Sequence, residues 1–101
     1  TDEFRRGAEV EVERCLARDS DNAFCLRARA ALRRKSCQMQ AALADLERAF
    51  GLEPKNISLM MLLLDQYEKT GQTGRMQSLL ARLQRVAGVG TIQPLALQPG
   101  P

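Results

Sequence analysis

The sequence predicts an all-α fold of about five helices followed by an extended C-terminal tail, and three observations carry that reading. Turn-forming segments recur at one spacing: residues 18–22 and 52–56 set Ser20 against Pro54 and Asn22 against Asn56, each 34 residues apart. The segments before these turns agree at the same offset: Ala8 with Ala42, Glu11 with Asp45, Val12 with Leu46, Glu13 with Glu47 and Arg14 with Arg48. A further step aligns Leu46 with Leu80 and Arg48 with Arg82, and Lys35, Ser36 and Gln38 with Lys69, Thr70 and Gln72. Finally, Ala and Leu supply most of the apolar surface while aromatics make up only 4% of residues, a composition suited to close-packed helices rather than sheet.

Each element has its own local signals. Thr1 or Asp2 caps a first helix over about 3–18, and Asp21 or Asn22 caps a second over about 22–35. Residues 36–38 make a short turn. A third helix over about 38–51 places Ala42, Leu46, Ala49 and Phe50 on one stripe. Gly51 lies near its end, and Pro54, which has no N–H to donate, stops it from running on. Asn56 caps a fourth helix over about 56–70, and Gly71 and Gly74 bracket the next turn, where positive φ is cheap for glycine. A fifth helix over about 74–87 carries Met76, Leu79, Leu80, Leu83 and Val86. Gly88 and Gly90 end regular structure, so residues 1–88 form the helical domain and 89–101 a Pro-rich tail. Strands are disfavoured by the lack of alternation and of an Asn-Gly type hairpin dipeptide.

Composition excludes several function classes. The 101 residues suffice for one small domain. The longest strong apolar run, 59–64, is far shorter than the eighteen or so residues of a membrane span, and no signal peptide is visible at Thr1. There is no His, so Ser-His and Cys-His nucleophile pairs are absent. Cys15, Cys25 and Cys37 form no C-x-x-C pair, so no zinc site is expected. The odd cysteine count is read as three reduced thiols, with Cys37 near a turn and exposed, and this favours a reducing, cytoplasmic compartment. No cofactor is expected. Asp45 and Glu47 are not a catalytic pair, because residues two apart on a helix face different ways, and they are read as solvated surface charges. The Arg- and Ala-rich composition points to a GC-rich bacterial genome.

The 34-residue period, two helices per period and the proline after the second helix resemble the tetratricopeptide repeat family. Residues 39–54 look like the second helix and exit turn of such a repeat. Ala42, Leu46, Ala49 and Pro54 match the family's small, large, small and proline positions. Leu63, Tyr67 and Gly71 match the leucine, the aromatic and the turn glycine of the next first helix. Arg29, Arg33 and Cys37 depart from the pattern where Leu, an aromatic and Gly are usual, as do Leu83 and Gly88 in the last repeat. The resemblance covers about 3–87. It implies a right-handed superhelical array of antiparallel helix pairs, an α-solenoid, in which stacking buries faces that no pair buries alone.

In that family the concave groove is lined by the first helix of each pair. The resemblance therefore implies a groove of Phe24, Arg27, Ala31, Arg34 and Lys35 from one repeat and Ser58, Met61, Asp65, Glu68 and Lys69 from the next. Such a groove, basic at one end and mixed at the other, suits an extended or helical protein segment with carboxylates held by Arg forks and apolar groups held by Phe24 and Met61. The Lys and Asn set that clamps chaperone C-terminal tails is not reproduced, since Ala31, Ser58 and Leu62 stand in its place. Met60 and Met61 are either buried between neighbouring helices or part of an exposed Met-rich contact surface.

Two other functions compete with peptide binding. One is self-association as a homo-oligomer through array ends or the tail, where Ile92, Leu95 and Leu97 are expected to dock. The other is polyanion or nucleic-acid binding through Arg27, Arg29, Arg33, Arg34 and Lys35. The net charge of +3 and pI of about 9.1 are mild, and nucleic acid is the less favoured partner.

Overall fold

The computed structural model describes residues 2–88 and contains five helices and, among the described residues, no strand. They are α1 (Asp2–Arg18), α2 (Ala23–Lys35), α3 (Met39–Leu52), α4 (Ile57–Lys69) and α5 (Thr73–Val86). The boundaries repeat with the period of the sequence. Both ends of α4 lie 34 residues after those of α2, and both ends of α5 lie 34 after those of α3. The expected docking of Ile92, Leu95 and Leu97 and the cap from Thr1 fall outside the described residues.

The period holds down to single hydrogen bonds. The Asn22 side chain accepts from the Cys25 N–H at 3.0 Å and the Asn56 side chain from the Leu59 N–H at 3.0 Å, each satisfying a donor that a helix start leaves free. At the other end the Gln38 N–H donates to the Arg33 carbonyl and the Gln72 N–H to the Tyr67 carbonyl, both at 2.8 Å. This closure needs a left-handed residue just before the donor. Gly71 supplies it at φ 71° and Cys37 at φ 60°. Of the two candidate caps for the second helix, Asn22 is the one used.

Each helix packs on its neighbours in sequence, and the backbones of no other helix pair approach one another. The molecule measures 55 × 25 × 22 Å along its principal axes. Its core is a row of Leu26, Leu43, Leu46, Leu59, Met60, Leu63, Leu79 and Leu83. Between them Ala30, Ala42 and Ala49 are almost wholly buried, their small side chains letting the helices approach closely. Burial thins towards the ends: α1 buries only Leu16 and α5 only Leu79 and Leu83, whereas α3 and α4 bury five residues each.

Two sequence readings are corrected. Cys15 and Cys25 are joined by a disulfide, with a Cα–Cα separation of 6.4 Å, and only Cys37 is a free, exposed thiol. The bond forms because the turn after α1 folds α2 back over it, bringing thiols ten residues apart into contact, a proximity that cysteine counting cannot detect. The preference for a reducing compartment loses its basis with it, since such bonds persist in oxidising ones. Asp45 is not a solvated charge but is buried at 4% exposure.

Candidate functional site

Asp45 is buried because α2 presents two arginines to it. Arg29 donates from Nε and Nη2 to the two carboxylate oxygens at 3.1 and 2.9 Å, and Arg33 donates from Nη1 at 2.9 Å. Arg29 also reaches Glu13 of α1 at 3.2 Å, so one guanidinium ties three helices together. The bond to Asp45 raises the Arg29 pKa above its ordinary value, against the opposing effect of burial. The carboxylate is saturated with donors and serves as a structural clasp. The departures of Arg29 and Arg33 from the repeat pattern thus have a partner, Asp45, on the next helix.

The other arginine pair of α2 faces a different way. Arg34 donates from Nη2 to Asp65 of α4 at 2.9 Å, and Lys69 Nζ meets the same oxygen at 3.0 Å. This bridge joins α2 to α4 at Arg34 and Asp65; by helical spacing Phe24, Arg27 and Ala31 lie on the Arg34 side of α2, and Ser58, Met61 and Glu68 on the Asp65 side of α4. Phe24 is 76% exposed and Met61 56%, and Ala31, Lys35, Ser58, Glu68 and Lys69 are exposed as well. Arg27 is half-buried: its Nε is buried without a hydrogen-bond partner, and its guanidinium meets no carboxylate among the described residues. The methionine pair is split, Met60 fully buried and Met61 open. Arg34, Asp65 and Lys69 are brought into direct contact, and the other residues named for the groove make no polar side-chain contact with one another. Of the five basic residues in α2, Arg29, Arg33 and Arg34 are committed to carboxylates, so the cluster is far less free than the sequence suggests.

A concave region lies on the other side of α4. Tyr67 leaves that helix about 160–180° around from Asp65 and Ser58, and its hydroxyl donates to Glu47 of α3 at 2.8 Å. Arg75 of α5 donates to the same Glu47 oxygen at 3.0 Å. Burial first, and the bond to Glu47 second, push the Tyr67 pKa up to about 12. Glu47, like Asp45, is therefore no free surface charge. These residues, with Phe50, Ser78, Leu79, Arg82 and Arg85, enclose a cleft of about 530 Å³. The Arg82 guanidinium lies over the Phe50 ring, 5.1 Å from its centre. Sequence reasoning missed this cleft, although α5 carries three arginines and no carboxylate, with Arg75, Ser78, Arg82 and Arg85 at helical spacing.

No membrane-spanning helix and no metal-ligating group of three or more His, Cys, Asp or Glu side chains occur among the described residues. Comparison with protein-family models, with curated proteins and with solved structures returns no match.

Proposed function

We propose that the chain is a non-enzymatic protein-interaction module of tetratricopeptide-like helix pairs, and that its α2–α4 face holds a polypeptide segment bearing acidic groups. The observation that carries this reading is Arg27, a half-buried guanidinium with no carboxylate of its own, and the exposed side chains of Phe24 and Met61 support it. An unpaired cation is costly to half-bury, and a partner's carboxylate would satisfy it with a short, charge-assisted bond. Phe24 and Met61 offer apolar contact, with the thioether adapting its shape to the partner. The 34-residue recurrence of helices and caps and the short turns that reverse the chain favour a right-handed superhelical stack of antiparallel pairs. A binding role is favoured over catalysis because the chain has no His and the carboxylates Asp45 and Glu47 are occupied by donors. A peptide-display selection on the immobilised chain tests the reading. The wild type enriches Asp- and Glu-containing segments with an apolar residue, and Arg27→Glu loses them. Enrichment of the same peptides by both proteins would refute the groove. Arg27→Glu is the cleaner variant, because Arg34→Glu would also break the pair with Asp65.

One observation favours self-association as a second reading. Residues 1–22 carry seven carboxylates against four arginines, whereas residues 71–88 carry three arginines and no carboxylate. A molecule polarised along its length attracts copies of itself end to end. Sedimentation velocity over a concentration series at low and high salt tests it: a mass that rises with concentration and falls with salt supports it, and a constant monomer mass excludes it.

A further inference from the structure

The cleft between α3 and α5 has a chemistry that the α2–α4 groove does not share. Its rim is formed by Arg75, Arg82 and Arg85, all exposed, and its floor by Phe50, Leu79 and the ring of Tyr67. The one carboxylate lining it, Glu47, already accepts from Tyr67 and Arg75. Arg82 and Arg85 meet no carboxylate among the described residues. The cleft is thus a preformed concavity with two uncompensated guanidiniums above an apolar floor. Because Tyr67 and Asp65 leave α4 on nearly opposite sides, the cleft faces away from the Arg34–Asp65 bridge.

We propose that this cleft is a docking surface for an acidic, amphipathic polypeptide segment. Charge complementarity selects an acidic occupant: single carboxylates would be received by the planar forks of Arg82 and Arg85. The floor selects a polypeptide over nucleic acid. Non-specific strand binding uses several open aromatic platforms. Here the Phe50 face is already covered by Arg82, and Tyr67 is buried with its hydroxyl engaged. Glu47, held in place inside the cleft, would repel a dense row of phosphates but leaves room for a partner whose charges are spaced by apolar side chains. Arg75, Ser78, Arg82 and Arg85 follow one another along α5 at intervals of three, four and three residues. That row spans about 15 Å, the length of three turns of a docked helix.

The proposal stands apart from the α2–α4 groove, and the test separates them. The full chain is titrated, in buffer of about 0.15 M salt, into a fluorescein-labelled synthetic peptide of Glu and Leu of about 15 residues, with Leu at helical spacing. Binding is read by anisotropy, and the contact surface by amide shift changes. The expected result is saturable binding with shifts at Ser78, Arg82 and Arg85. Arg82→Gln/Arg85→Gln is expected to weaken it about tenfold or more, and Arg27→Gln to change it less than about twofold. The double variant replaces exposed side chains, and an unchanged circular dichroism spectrum verifies that it folds. Absence of binding to the wild type overturns the proposal. So does a loss with Arg27→Gln as large as that of the double variant, which would move the contact to the groove. Displacement of the peptide by an equimolar thymidine oligonucleotide would instead make the cleft a polyanion site and equally overturn it.

Discussion

Cys37 and Gly71 occupy the same place in successive turns, both with positive φ, yet only one is a glycine. A Cβ built on Gly71 would meet nothing within 4 Å, so what the position asks for is backbone freedom rather than space. For an L-residue with a Cβ the left-handed region costs about 1–2 kcal/mol. Replacing the exposed Cys37 with Gly therefore raises stability by about 1 kcal/mol, after allowing for the greater freedom of glycine in the unfolded chain. The urea midpoint checks this. Asp45 is the opposite case, a buried group whose loss strands others. Asp45→Ala leaves Arg29 and Arg33 without their main acceptor and is expected to cost about 2–3 kcal/mol, below the range for fully buried pairs because both guanidiniums keep some contact with water. Tyr67 adds a pH dependence. Its folded pKa, about 12, lies above the ordinary 10.0, so the stabilisation is complete below about pH 10 and is lost as pH rises towards 12. Denaturation midpoints between pH 9 and 12 fall more steeply for the wild type than for Tyr67→Phe.

Among the elements, α1 is the one least able to hold its place by packing. It buries a single residue, and its backbone approaches that of α2 alone among the helices. The Cys15–Cys25 bond compensates for this, closing a short loop and contributing about 3 kcal/mol on chain-entropy grounds. Its position has a counterpart one repeat later, where Ala49 and Leu59 stand 34 residues on and are fully buried. The crosslink thus sits where the next helix junction relies on apolar contact. Reduction is expected to remove amide protection from α1 while leaving α3 and α4 protected. Cys15→Ala/Cys25→Leu, which transplants the later pair, is expected to keep more of the α1 protection than Cys15→Ser/Cys25→Ser. Hydrogen exchange measured by mass spectrometry reads both comparisons, and equal protection in the two variants would show that packing at this junction contributes nothing.

At the scale of the whole molecule, backbone packing runs between successive helices and only side-chain contacts such as the Arg34–Asp65 and Arg75–Glu47 ion pairs reach past a neighbour, so stability is distributed along a line rather than around a centre. The interior helices α3 and α4 have neighbours on both sides and hold ten of the sixteen buried residues. Opening is therefore expected to begin at the ends, with amide exchange slowest in α3 and α4, faster in α5 and, once the disulfide is reduced, fastest in α1. A single exchange rate shared by all five helices would contradict a linear architecture. Leu46→Ala, in the middle of the row and almost fully buried, is expected to cost about 3 kcal/mol and to lower protection on both sides of it.

Local signals along the chain specify the helices and their 34-residue recurrence. These depend on contacts between residues a few positions apart: Asn22 and Asn56 bond three residues onward, and Pro54 and Gly71 act on their own backbone. The grouping of Phe24 with Arg27 and of Ser58 with Met61 on a common groove is what the resemblance to the repeat family implies. Tertiary structure alone decided what each charged or sulfur-bearing side chain meets. Arg29 and Arg33 reach Asp45 twelve to sixteen residues away, Arg34 reaches Asp65 across thirty-one, and Cys15 finds Cys25 only after the chain reverses. It also opened the α3–α5 cleft, where Glu47 and Phe50 meet residues of two later helices. Long, flexible ionic side chains have many acceptors within reach in an unfolded chain. Only the packing of helices, driven by Leu and Ala burial, selects one of them by bringing it within hydrogen-bonding distance.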